Sequence, residues 1–228
     1  PKGHPKYGEE EGIQFLQRHG GTNYWDALTS RARSEAEQDY APLLEDFFAD
    51  IDAHQERYPG THEVFYLRDM DKAHQARLAQ YRARGVANPE RFVHGVNFNR
   101  ALANLYNVGV QDYPGMWDYV KANHPALEDA AHMLLLDSGY GGTIPKAWQK
   151  MNKELGLGKR MDAMMMSTND TAPSEWQSPS LQGAKNRYTI VGKIEHSPHF
   201  SGTITSPTSG LTGLHSPLVT PYERELAQ

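Results

Sequence analysis

Three apolar runs, "VFYL" at 64–67, "MLLL" at 133–136 and "AMMM" at 163–166, are separated by stretches whose apolar residues recur with helical spacing. A strand that is apolar at consecutive positions must be covered on both faces, and alternating strands and helices provide that cover in a parallel sheet. The chain therefore reads as α/β, with a mainly parallel sheet, helices on both faces and an N-terminal helical extension. Strands are expected at 63–69 ("EVFYLRD"), from Val93 to Phe98, at 132–137 ("HMLLLD") and at 160–168 ("RMDAMMMST"), with a further one at 187–195 ("RYTIVGKIE").

The helices follow from periodicity and from their stops. Tyr40, Leu43, Leu44, Phe47, Phe48 and Ile51 form one apolar stripe, with Pro42 in the first turn. "DKAHQARLAQYRAR" is helical up to Gly85, "PGMWDYVKANHPALEDAAH" supplies one or two helices, and "IPKAWQKMNKEL" is ended by "GLG". Residues 1–33 read as loop with at most one short helix. Three segments result: a helical extension over 1–60, an α/β phosphate-binding domain over 61–196, and a Ser/Thr/Pro/Gly-rich segment over 197–228 expected to pack on it.

Bulk properties exclude several classes. The formal charge of -5 offers no basic stripe for a phosphate backbone, so a nucleic-acid partner is not expected. The absence of cysteine removes disulfides, thiolate metal sites and cysteine nucleophiles together. No apolar run approaches the roughly 20 residues of a bilayer span, so no membrane partner is expected. The chain opens at Pro1 without a charged-then-apolar leader, as a fragment or processed chain would. A cytoplasmic protein, or one secreted into a host cell, fits these properties.

The stretch "LLLDSGYGGTIPKAW" at 134–148 is where ligand chemistry is expected. A strand ends in Asp137, and Gly139, Gly141 and Gly142 let backbone N–H groups approach an anion, with Ser138 beside them. Thr143 is placed to cap the following helix while its hydroxyl reaches the ligand. Asp137 would hold Mg²⁺ or ribose hydroxyls rather than phosphate itself. Ser167 and Thr168 end a parallel strand on the same side and are expected substrate contacts. Arg68, with Asp69, follows "VFYL" at a strand end, where a guanidinium can clamp phosphate. The bland alternatives are a tight glycine turn and an Arg–Asp pair closing the sheet edge.

These residues resemble two known groups. Phosphoribosyltransferases carry a hydrophobic strand, acidic residues and a Thr/Gly-rich turn that grips a 5′-phosphate; here Ser138 stands where a second acid is usual. "FYLRD" with Arg68 and Asp69, "VNFNRAL" with Arg100, and "DSGYGGT" with Asp137, Gly139, Tyr140, Gly142 and Thr143 are similar to a domain associated with haloacid-dehalogenase-like proteins. Some type III effectors of plant-pathogenic bacteria look similar. The resemblance spans about residues 60–170 and implies a transferase of glycosyl or phosphoryl groups. Asp137, Arg68 and Asp69 would be its catalytic residues, a phosphorylated small molecule or nucleotide its ligand, Mg²⁺ its cofactor and a host protein its target.

Other readings stay open. A non-catalytic module gripping a host protein would keep the loop for structure alone. "LQRHGGT" at 16–22 resembles the phosphohistidine loop of histidine phosphatases, with His19 as nucleophile and Arg18 as clamp. "EHSPH" groups Glu195, His196 and His199 as metal ligands or as loop polar residues.

Overall fold

The computed structural model describes residues 40–98, 103, 104, 106 and 113–182, without the side chains of Arg68 and Tyr140. The expected features at 1–33, including Arg18 and His19, lie outside the described residues, as do Arg100, the strand at 187–195, "EHSPH" and the segment 197–228.

The first described helix, α1, covers Ala41–Arg57, with Pro42 in its first turn and the stripe Leu43, Leu44, Phe47, Phe48 and Ile51 buried. Strand β1 (His62–Tyr66) leads straight into α2 (Leu67–Ala83), which ends before Gly85 at φ 79°. Then come β2 (Val93–Val96), α3 (Tyr113–Asn123) and the short α4 (Ala126–Asp129). The chain continues through β3 (His132–Tyr140), α5 (Thr143–Glu154) and β4 (Arg160–Thr168).

The four strands form one sheet in the order β2-β1-β3-β4, and every pairing is parallel. The α/β class expected from the apolar runs is what the chain adopts. Successive strand residues point to opposite faces, and both faces are apolar. Phe65, Leu134, Leu136, Met164 and Met166 join the α1 stripe and Met70 and Ala73 of α2 in one cluster. Val64, Tyr66, Met133, Leu135, Met161 and Met165 join α3, α4 and α5 in the other, through Trp117, Leu127, Ala147, Trp148 and Met151. The "MLLL" and "AMMM" runs lack alternation because neither face meets water.

Three boundaries differ from those expected. The strand expected through Asp69 stops at Tyr66, because Met70, Ala73 and Arg77 are fully buried at helical spacing and turn the segment from Leu67 into α2. The strand expected from Val93 to Phe98 ends at Val96. The turn expected directly after Asp137 begins later: β3 continues through Tyr140, with Gly139 paired to Ser167 and Tyr140 to Thr168.

Candidate site at the carboxyl edge

In a sheet ordered 2-1-3-4 the chain leaves β1 toward one side and enters β3 on the other, so the crossovers diverge between these strands. The carboxyl ends of β1 and β3 flank that switch point, where open α/β sheets bind ligands. Tyr66 ends β1, and Asp69 lies in the first turn of α2 just beyond it. Asp137 sits one pair past Phe65↔Leu136, hence beside Tyr66, and pairs with Met165 of β4. Asp69 and Asp137 are both buried, at 6% and 7% exposure.

The face shared by Tyr66, Asp137 and Ser167 carries an uncommon burden. Tyr66 Oη, Trp148 Nε1 and Ser167 Oγ are buried hydrogen-bonding atoms with no partner among the described residues. Tyr66 and Trp148 meet edge to face, ring centroids 5.7 Å apart, and Phe98 packs on Trp148 at 6.3 Å. Burial, reinforced by the negative charge of Asp137, pushes the Tyr66 hydroxyl well above its usual range. It therefore stays protonated and remains a donor.

The glycines of "DSGYGGT" answer first to packing. Gly139 has φ 152°, and a Cβ there would lie 2.4 Å from the Ser167 carbonyl oxygen. Gly142 has φ 62°, and a Cβ there would lie 2.6 Å from the Trp176 ring. A Cβ on Gly141 would meet Thr171 Oγ1 at 2.8 Å. The helix cap differs from the expected one: Gly142 is the N-cap of α5, without a side-chain cap bond, and Thr143 is the first helical residue. Lys146 Nζ donates to the Gly141 carbonyl at 2.9 Å and also to that of Thr171, tying the turn to the loop after β4.

The expected residues thus divide by position. Asp137, Ser138 and Gly139 lie in β3 and Ser167 and Thr168 in β4, side by side at one sheet edge, with Gly141, Gly142 and Thr143 carrying the chain into α5. Arg68 and Asp69 stand on the adjoining first turn of α2. Thr168 is held from the far side by Gln177, whose Oε1 accepts its backbone N–H at 2.8 Å. Sequence reasoning missed Tyr66 and Trp148, since a tyrosine closing an apolar run and a tryptophan on an amphipathic stripe both look like ordinary core. Asp69 and Asp137 are the buried carboxylates at this edge among the described residues, oxygen donors of the kind a hard cation takes.

The fold and this edge define a doubly wound α/β protein whose switch point carries buried polar atoms that have no partner among the described residues. Comparison with protein-family models, with curated proteins and with solved structures finds no match for this chain. Among the described residues no helix is long and apolar enough to cross a membrane.

Proposed function

We propose that the carboxyl edge of the sheet holds a phosphorylated small molecule or nucleotide, and that the protein is a phosphoribosyltransferase-like or related transferase of glycosyl or phosphoryl groups. One observation carries this reading: Tyr66 Oη, Trp148 Nε1 and Ser167 Oγ lie buried without partners among the described residues, on the face that Asp137 shares. A buried donor left unpaired costs about 1–3 kcal/mol. A ligand rich in acceptor oxygens relieves that cost on binding. An ionised Asp137 can only accept, so it suits Mg²⁺ or ribose hydroxyls rather than the phosphate. Arg68 and Arg100 supply positive charge in this reading. Catalysis rests on positioning and on fixed charges rather than on a covalent intermediate.

The test is calorimetry and thermal shift with phosphoribosyl pyrophosphate, ATP and inorganic phosphate, each with and without Mg²⁺. Tyr66→Phe is expected to leave the ligand-free Tm unchanged or slightly higher, because it removes a buried hydroxyl that has no partner among the described residues, yet to weaken binding by about tenfold or more. Asp137→Asn is expected to remove only the Mg²⁺-dependent part of the affinity. If millimolar ligand shifts nothing in the parent, or Tyr66→Phe binds as the parent does, the reading fails.

A further inference from the structure

At the amino edge of the sheet, away from Tyr66 and Asp137, three side chains from three elements converge. His54 stands in the last turn of α1, His132 opens β3 and Asp162 is the third residue of β4. His54 Nε2 lies 3.1 Å from Asp162 Oδ2, and His132 Nε2 lies 3.0 Å from the same oxygen. The three ligand atoms lie within 4.8 Å of one another. Arg160 adds Nε and Nη2, each 3.0 Å from that oxygen. A carboxylate oxygen has about two lone-pair sites. Four nitrogens crowd onto one acceptor.

The proton positions sharpen the point. Thr61 has a single hydroxyl hydrogen, and it goes to the Tyr58 carbonyl at 2.7 Å. Its 2.9 Å contact with His132 Nδ1 is then a bond that Thr61 accepts, which places the imidazole hydrogen on Nδ1. A neutral His132 consequently turns its Nε2 lone pair toward a carboxylate oxygen. A cation between the two turns this opposition into two bonds.

We propose that His54, His132 and Asp162 form a binding site for a divalent cation of the zinc class, with two imidazole nitrogens and one carboxylate oxygen as ligands and a fourth position for water. That donor set suits Zn²⁺, Co²⁺ or Ni²⁺ better than Mg²⁺ or Ca²⁺. Tetrahedral ligands about 2.0–2.1 Å from zinc stand about 3.3 Å apart, so the nitrogen–oxygen pairs need to open only slightly. Thr61 is the outer partner that orients His132. The Tyr58 ring packs on both imidazoles, at 5.0 and 5.2 Å, and walls one side. Both histidine side chains are 13% exposed and Asp162 31%, which leaves a path from solvent. The bound ion would fasten the end of α1 to the starts of β3 and β4.

The full chain, stripped with chelator, is titrated with Zn²⁺ and separately with Co²⁺. One equivalent of Zn²⁺ is expected to bind at micromolar free ion and raise Tm, and Co²⁺ to give the visible bands of a four-coordinate nitrogen–oxygen site that Zn²⁺ bleaches. His132→Gln and Asp162→Asn should lose that equivalent, and Thr61→Val should weaken it by about 10–100-fold with circular dichroism unchanged. His62→Gln, at a histidine whose Nδ1 instead lies 2.9 Å from His94 Nε2, should bind as the parent does. No binding by the parent, or equal binding by His132→Gln and Asp162→Asn, overturns the site and leaves a histidine–carboxylate contact. Should the variants fail to fold, histidine ring ¹⁵N NMR of the parent decides. Zn²⁺ must then shift Nε2 of His54 and His132, and shifts confined to other histidines also overturn the proposal.

Discussion

Arg77 is fully buried in the middle of α2, and its partners show how a guanidinium is tolerated there. Its Nε and Nη2 donate to Glu63, itself fully buried, at 3.0 and 2.8 Å; Asp52 lies 2.7 Å away and the Tyr81 hydroxyl 2.8 Å. Arg77→Met strands the Glu63 charge and is expected to cost about 3–5 kcal/mol, read from the urea midpoint. Replacing both as Arg77→Met/Glu63→Gln should cost less than the single change, since no uncompensated charge remains. His94 offers a second test. Burial, helped by the neighbouring His62, His124 and His74, holds its imidazole down at about 3. The unfolded chain takes up that proton near pH 6.5 and the folded chain does so only near pH 3. Between these values the unfolded state binds more protons, so stability falls as pH falls, by about 1.4 kcal/mol per pH unit for this residue. His62, His74 and His124 are shifted in the same direction. His94→Gln should flatten the profile in that window, measured by denaturant unfolding from pH 7 to pH 4. None of this was legible in the sequence, where Glu63 and Arg77 are fourteen positions apart and look like solvated charges.

At the scale of elements, the apolar runs and the helical stripes were legible because each obeys its own period. The stripe from Tyr40 to Ile51 is buried as that period requires. What periodicity could not show was where one element yields to the next. "VFYLRDM" is apolar enough to be strand throughout, and only the burial of Met70, Ala73 and Arg77 turns Leu67 into the start of α2. "DSGY" has poor strand propensity, yet it is drawn into β3 because β4 runs alongside it to Thr168. The glycines there follow from that approach. Gly139→Ala places a methyl against the Ser167 carbonyl, and Gly142→Ala places one against Trp176 at a left-handed φ. Each is expected to lower stability by about 1–3 kcal/mol in thermal unfolding, with or without ligand. Glycine density was therefore an ambiguous guide to the site. Asp137, named from its place at a strand end, does lie at the switch point, but the buried donors beside it that lack a partner among the described residues depend on strand order, which no local pattern encodes.

For the molecule as a whole, the sheet separates two apolar clusters that meet different helices. Ile51→Val on one side and Val120→Ala on the other should therefore have costs that add to within about 0.3–0.5 kcal/mol, checked by a double-mutant cycle in urea. The outer side of β4 is treated differently from its inner side. Ser178 N–H donates to the Met165 carbonyl at 2.9 Å, the Gln177 side chain donates to Met166 and accepts from Thr168, and the Ser178 hydroxyl and Ser180 are held by Asp50 of α1. A side-chain amide and a short irregular segment thus occupy backbone groups that a further strand would otherwise take. The run they cover, "AMMMS", is uncharged, apolar and extended, the profile of a segment that recruits copies of itself when its backbone is open. Gln177→Ala leaves the Thr168 N–H without its acceptor and should cost about 1–3 kcal/mol of fold stability, with a larger effect on colloidal behaviour. Light scattering at raised concentration should show growing particles, thioflavin-positive over time, while the parent stays monodisperse. The glutamine would then be a guard against self-templating, protecting the protein in storage and in the crowded cell more than it protects the fold.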